Sequence, residues 1–222
     1  MSELLDCIEL QTHASPTSAV IWLHGLGADG YDFVPVVREL ESVGAPAARY
    51  VFPHAPQIPV TINGGYVMRA WYDILGSELV RREDDARIRA SAAAVERLID
   101  RETTRGVARD RIVLAGFSQG GAITLQAGIR STTPLAGLMA LSAYLPLAET
   151  AQVEATAASR SIPIFMAHGT EDPVIPIARS TASRDRLKAL GYTVEWHQYP
   201  MPHSVNADEI RAIAAFLKRV LG

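Results

Sequence analysis

The fold is decided by residues 111–121, which read RIVLAGFSQGG. The first half is a short apolar run with β-branched residues, typical of a buried parallel strand. Small and apolar residues at helical spacing follow the second half. Ser118 lies between the two, with Gly116 and Gly120 on either side. Because glycines allow a sharp turn and a close strand–helix approach, this pattern predicts a nucleophilic serine exposed at the strand tip. The alternative is an ordinary βα turn in which Ser118 caps the helix.

The length fits a single α/β domain that spans residues 1–222. Hydrophobic residues make up 48% of the chain, which is enough for a substantial core. The net charge of −3 gives no electrostatic reason to expect nucleic acid as a partner. The single cysteine, Cys7, excludes an internal disulfide and fits a reducing compartment. We expect Cys7 to be a small packed side chain and not a reactive thiol.

The N-terminus does not show the positively charged region followed by an apolar region that is typical of a signal peptide. No apolar run approaches the roughly 20 residues that span a bilayer. The sequence therefore predicts a cytoplasmic protein with no stable membrane insertion.

Strand-like and helix-like patterns alternate along the chain. Besides the strand before Ser118, strands are predicted over residues 4–12, 19–23, 49–52, 135–141, 162–167 and 193–199. Besides the helix after Ser118, helices are predicted over residues 83–105, 177–190 and 206–221. Repeated βα units predict a mostly parallel sheet with helices on both faces. Residues 53–76 show neither the alternation of a strand nor the spacing of a helix. We predict a long functional loop there, such as a lid or pocket wall.

A nucleophilic serine needs a general base, and the base needs an orienting carboxylate. In α/β-hydrolases these follow in the chain order serine, acid, histidine. Asp172 comes shortly after the strand at 162–167, and His203 lies in the loop between the last strand and the last helix. Glu171 competes with Asp172, but Asp is shorter and Pro173 fixes the turn behind it. We therefore predict Asp172 as the acid and His203 as the base.

The other histidines lack this combination of order and position. His168 precedes the acid and is expected to be a structural hydrogen-bonding residue, whereas His24 belongs to the loop after the second strand. We expect structural or solvent-facing roles for the remaining three, which are His13, His54 and His197.

The glycine-rich loop at residues 24–30 reads HGLGADG and follows the second predicted strand. A phosphate-binding loop is the alternative, but the stretch matches neither the dinucleotide nor the P-loop pattern. An ester hydrolase stabilises its oxyanion with backbone N–H groups from such a loop and from the residue after the nucleophile. This predicts Leu26 and Gln119 as the two donors.

Taken together, five segments resemble the phospholipase/carboxylesterase family of α/β-hydrolases, which includes acyl-protein thioesterases and lysophospholipases. They are residues 24–27, 71–73, 116–121, 168–174 and 202–203, which run in the family's order over nearly the whole chain. Residues 63–74 are more similar to the bacterial carboxylesterase branch than to the eukaryotic thioesterases. The resemblance implies the triad Ser118, Asp172 and His203 and the donors Leu26 and Gln119. It also implies an acyl pocket along residues 74–79, with Trp71, Ile74, Leu75 and Val174 as its wall, although Trp71 and Tyr72 are equally well explained as core aromatics.

These residues predict a serine carboxylesterase that works through an acyl-enzyme, without a metal or other cofactor. Its substrate would be a small ester, with a lipid or an acylated protein as further possibilities. Acyl-protein thioesterase and lysophospholipase are alternative activities. A serine peptidase usually carries a further domain, and a binding protein on the same fold would lack a member of the triad. The sequence does not determine whether the protein is a monomer or a homodimer.

Overall fold

The computed structural model of the protein describes residues 4–77 and 80–222. Its centre is a sheet of seven strands, which are β1 (Cys7–Gln11), β2 (Ala19–Leu23), β3 (Arg49–Pro53), β8 (Ile112–Phe117), β9 (Gly137–Leu141), β10 (Ile164–Gly169) and β11 (Val194–Tyr199). Across the sheet they lie in the order β1-β3-β2-β8-β9-β10-β11. Strand β1 pairs antiparallel with β3 at one edge, and the other strands run parallel. The structure thus confirms the predicted mostly parallel sheet.

Helices cover both faces of this sheet. They are α1 (Val34–Ser42), α2 (Asp85–Thr104), α3 (Gln119–Gly128), α4 (Ala151–Glu154), α5 (Ile177–Ala189) and α6 (Ala207–Leu221). One core packs Ile21 and Leu114 against α2, α3 and α5, and the other packs Trp22 against α1 and α6. Neighbouring residues of β2 face opposite cores because side chains alternate along a strand. Burial on both faces explains why the central strands are continuous apolar runs.

The segment predicted as a long loop, residues 53–76, contains one β-hairpin and most of the first strand of a second, and that prediction is corrected. Strands β4 (Gln57–Val60) and β5 (Tyr66–Arg69) pair antiparallel, as do β6 (Ile74–Ser77) and β7 (Val80–Glu83). Each hairpin forms its own two-stranded sheet apart from the central one. The segment after β3 is therefore ordered by local pairing, and it brings β6 towards the carboxyl ends of the parallel strands.

Further differences concern helices. Helices α1 and α4 were not predicted. Helix α2 begins at Asp85 because Asp84 caps it by accepting a hydrogen bond from the Arg87 N–H. None of the helices in the described part of the chain has the length and apolar character that crossing a bilayer requires.

Candidate active site

Ser118 lies at a strained turn between β8 and α3. Its backbone has φ 55° and ψ −119°, a region that costs a non-glycine residue energy and is often found at functional sites. The strand and helix approach so closely that a Cβ on Gly116 would lie 2.2 Å from the carbonyl carbon of Gly120. Among the described residues, no capping hydrogen bond joins the Ser118 side chain to α3. The geometry is that of the predicted elbow and not of a helix-capping serine.

Asp172 and His203 meet beside this turn. Asp172 follows β10, and its Oδ1 accepts hydrogen bonds from the backbone N–H groups of Val174 and Ile175 at 2.8 and 2.9 Å. Its Oδ2 lies 2.6 Å from Nδ1 of His203. A carboxylate only accepts hydrogen bonds, so the His203 proton is on Nδ1 and the basic nitrogen is Nε2. The competing acid, Glu171, is exposed to solvent.

The His203 ring is also held from the side of the elbow. It packs against the ring of Phe117, the residue before Ser118, with 4.7 Å between the ring centroids. The loop that carries His203 passes directly over Gly169, where an added Cβ would lie 2.2 Å from the Met201 carbonyl oxygen. The His203 ring is therefore positioned by a hydrogen bond, an aromatic contact and a close backbone approach.

His168 is fully buried next to Asp172, as its predicted structural role requires. Its Nε2 donates to the Ile175 carbonyl at 2.8 Å and lies 3.3 Å from Oδ2 of Asp172. Burial lowers the pKa of His168, so the ring stays neutral. It supports the turn that carries Asp172.

His24 shapes the glycine-rich loop that follows β2. Its Nδ1 donates to the Gly25 carbonyl at 2.7 Å, and its Nε2 accepts from the Ala55 N–H at 3.0 Å. Burial lowers the pKa of His24 to about 4, which keeps the neutral ring that this pair of bonds needs. Further along the loop, the Gly27 N–H donates to the Arg69 carbonyl at 2.9 Å. These bonds fix the backbone on both sides of Leu26.

The side chain of Gln119 has a function that the sequence did not reveal. It is buried, accepts a hydrogen bond from the Trp71 N–H at 3.1 Å and donates one to the Tyr72 carbonyl at 3.0 Å. These two bonds tie the first turn of α3 to the segment between β5 and β6. Gln119 thus connects the elbow to one wall of the neighbouring cavity.

A cavity opens at Ser118, and its empty space, counted together with the open solvent at its mouth, amounts to about 540 Å³. Ten residues line it: Leu26, Tyr72, Ile74, Glu83, Ser118, Gln119, Tyr144, Val174, Ile175 and Arg179. The two residues predicted as oxyanion donors and the predicted nucleophile therefore line one cavity. Of the four predicted pocket residues, Ile74 and Val174 lie in its wall.

The other two predicted pocket residues lie elsewhere. Trp71 is only 1% exposed, packs in the core and donates through Nε1 to the His24 carbonyl at 2.8 Å. Leu75 follows Ile74 in β6, where neighbouring side chains point to opposite faces. The expected wall is corrected accordingly, with Tyr72 in place of Trp71. Of the predicted pocket loop at 74–79, Glu78 and Leu79 lie outside the described residues.

Within the described residues, neither Cys7 nor a metal cluster adds to this site. Burial raises the pKa of the Cys7 thiol to about 11, and its Sγ donates to the Leu5 carbonyl. This supports the expected unreactive role. No group of three or more His, Cys, Asp or Glu residues within 4–77 and 80–222 is arranged to hold a metal ion.

The model of the Phospholipase/Carboxylesterase family matches residues 6–221. The chain belongs to the phospholipase/carboxylesterase family. It is a serine hydrolase of the esterase and thioesterase type. Acyl-protein thioesterase 1 of Gibberella zeae is 41% identical over 219 residues, which cover 92% of this chain and 91% of the relative.

Solved structures of other proteins have the same fold. The crystal structure of Arabidopsis thaliana SOBER1 has a TM-score of 0.87 at 31% identity and covers 92% of this chain and 99% of that one. The Bacillus cereus carboxylesterase has a TM-score of 0.78 at 18% identity, with 97% and 94% covered. At that identity the likeness concerns the fold alone. Together these matches confirm the α/β-hydrolase fold.

Proposed function

We propose that this family member hydrolyses carboxylic esters through an acyl-enzyme formed on Ser118. The observation that carries the proposal is the 2.6 Å hydrogen bond between Asp172 and His203 beside the strained backbone of Ser118. All three groups come from turns at the carboxyl ends of strands or from the loop that follows the last strand. This is the arrangement in which a weak hydroxyl nucleophile is activated by a neighbouring base.

In the first half of the reaction, His203 Nε2 takes the proton of Ser118 as the hydroxyl attacks the substrate carbonyl. The imidazolium that forms keeps its Nδ1–H on Asp172, whose negative charge stabilises it. His203 then protonates the leaving alcohol. In the second half, water loses a proton to His203 and attacks the acyl-enzyme. His203 then returns this proton to the Ser118 oxygen as the acid is released. No step uses a metal or a cofactor.

The negative charge on the carbonyl oxygen needs donors that are already in place. The N–H groups of Leu26 and Gln119 are suited to this because both residues line the cavity at Ser118. The loop around Leu26 is fixed by the bonds of His24 and Gly27, and Gln119 begins α3, where first-turn N–H groups lack helical partners. Each such donor contributes roughly 10²–10³-fold in turnover.

The acyl part of the substrate fits the cavity that leads away from Ser118. Leu26, Ile74, Val174 and Ile175 supply apolar side chains, which favour a hydrocarbon chain over a charged group. A lipid-derived acyl group meets the same requirement.

Thioester hydrolysis on acylated proteins is a second candidate, favoured by the relatives. The Gibberella zeae protein is named an acyl-protein thioesterase and is 41% identical over nearly its full length. The same nucleophile, base and donors serve an ester or a thioester, since only the leaving atom differs.

The test compares an ester and a thioester that share one acyl chain. Wild-type protein should hydrolyse the ester, and Ser118→Ala or His203→Ala should lower kcat by about 10⁴-fold or more. Thermal unfolding checks that both variants remain folded. Near-normal turnover by folded Ser118→Ala would overturn the proposal. A thioester kcat/KM far above that of the matched ester would select the second candidate.

A further inference from the structure

A second cavity lies behind one wall of the cavity at Ser118. Its lining includes Leu145, Ala148 and Ala182, together with the polar groups of Glu149, Ser183 and Arg186. The two cavities share three wall residues, Glu83, Tyr144 and Arg179. A substrate chain that grows beyond the first cavity in this direction therefore meets these three side chains.

Side-chain contacts hold this wall together. The guanidinium carbon of Arg179 lies 3.4 Å from the centroid of the Tyr144 ring, a cation–π contact. The Arg179 Nη2 also lies 3.3 Å from Oε1 of Glu83. On the other side, the hydroxyl groups of Tyr144 and Tyr72 are hydrogen-bonded at 2.8 Å. Tyr144 is thus fixed from behind, while Arg179 covers its face.

The backbones around the wall are anchored more firmly than the Arg179 head group. Glu83 Oε2 accepts from the Leu147 N–H at 2.8 Å. Ser183 Oγ donates to the Arg179 carbonyl and accepts from the Leu145 N–H, both at 2.9 Å. In contrast, the Arg179 and Glu83 side chains are 37% and 28% exposed, and ion pairs at such positions contribute little free energy. Movement of the guanidinium is the least costly way to open the wall.

We propose that Arg179, paired with Glu83 and stacked on Tyr144, is a specificity-determining residue that ends the acyl site. With the wall closed, the enzyme favours acyl chains that fit within the first cavity. When the guanidinium leaves the Tyr144 ring, the two cavities join and a longer chain extends into the second one. This inference rests on the proposed function, because it assigns the acyl chain to the cavity at Ser118.

The experiment measures kcat/KM for p-nitrophenyl esters of four, eight and twelve carbons. Arg179→Ala should raise the ratio of the twelve-carbon to the four-carbon ester by at least tenfold. Each methylene newly buried is worth about fourfold in binding, so three of them would suffice. Arg184→Ala is the matched control, because it removes an arginine from the same helix that lines neither cavity. Its ratio should equal that of the wild type.

A second substitution is designed to fill the second cavity. Of the two cavities, Ala148 lines only the second. Ala148→Trp in the Arg179→Ala background should therefore return the ratio of the twelve-carbon to the four-carbon ester towards the wild-type value. If Arg179→Ala does not fold, Glu83→Gln serves instead, because it removes the ion pair and keeps an oxygen for the Leu147 N–H. It should change the ratio in the same direction by a smaller factor.

The outcomes separate the wall from the chemistry. Equal ratios in folded Arg179→Ala and Arg184→Ala, with normal hydrolysis of the short ester, would overturn the assignment of Arg179. An unchanged ratio in Glu83→Gln, where that variant is the one tested, would do the same. Wild-type protein that hydrolyses no ester or thioester of any length would instead overturn the proposed function, and the role of the wall with it.

Discussion

Replacing Gln119 by alanine separates what its side chain does from what its backbone does. The change removes the partners of the Trp71 N–H and the Tyr72 carbonyl, whose residues are each 1% exposed. A buried polar group left without a partner costs about 1–3 kcal/mol, and a carbonyl is the less costly of the two. We therefore expect Gln119→Ala to lower the free energy of unfolding by about 2–4 kcal/mol. For a chain of this size that corresponds to roughly 5–15 °C in Tm.

Turnover should respond differently, since alanine keeps the N–H that we assign to the oxyanion. Gln119→Ala should lower kcat by less than about tenfold, whereas Gln119→Pro removes the donor and should lower it by about 10²–10³-fold. Proline is tolerated in the first turn of a helix, but it also restricts the backbone of Ser118 before it, so a thermal melt checks that this variant folds. Labelling of Ser118 by a small serine-reactive probe checks that the nucleophile is still in place.

Gln126→Ala is the matched control for stability. Gln126 lies in the same helix and is buried like Gln119, but its Oε1 has no hydrogen-bond partner among the described residues. It should lose packing alone and unfold at a higher temperature than Gln119→Ala. Equal Tm values would refute a stabilising role for the hydrogen bonds that join the Gln119 side chain to Trp71 and Tyr72. An alanine variant with turnover as low as that of the proline variant would refute the backbone assignment.

Three further changes test the rest of the site and the fold. Asp172→Asn keeps an oxygen for the Val174 and Ile175 N–H groups but presents an amide to His203, which favours the wrong tautomer; kcat should fall by about 10⁴-fold with little change in Tm. Gly169→Ala would place a Cβ 2.2 Å from the Met201 carbonyl oxygen. We expect the His203 loop to shift, and kcat to fall by about 10²-fold for a shift of about 1 Å, while retained kcat would show that the loop adapts. Burial raises the pKa of Glu209 from 4.5 to about 8. The folded protein thus keeps a proton that the unfolded chain has lost, so stability should fall as pH rises from about 4.5 to about 8, by at most about 1.4 kcal/mol per pH unit. Glu209→Gln should flatten this dependence, and Tm values across that range measure it.

The central sheet could be predicted because its strands are buried on both faces. Strands such as β2 and β8 are short, continuous apolar runs, and the alternation of strands with helices along the chain predicts a parallel arrangement. Helix α1 gave a weaker signal, since only Val37 and Leu40 are buried in its nine residues and a proline stands near its start.

The hairpins at residues 57–83 could not be found in the same way. Strands β4 and β5 are largely exposed and pair only with each other, so no buried face imposes an apolar alternation on them. Their connection depends on Gly64 and Gly65, which have φ of 67° and 79°. Such a turn is a local property of backbone conformation and leaves little trace in hydrophobic periodicity.

The fold brings the candidate catalytic residues together in one way and the residues of the wall between the two cavities in another. Ser118, Asp172 and His203 each follow a strand of one parallel sheet, so their order along the chain already implies a common edge. Glu83, Tyr144 and Arg179 come from the end of a hairpin, the segment after β9 and the start of α5. They meet only through long side chains, by an ion pair and a cation–π contact. Because no spacing rule relates these three positions, the chemistry of this protein can be predicted from its sequence more readily than its choice of acyl chain.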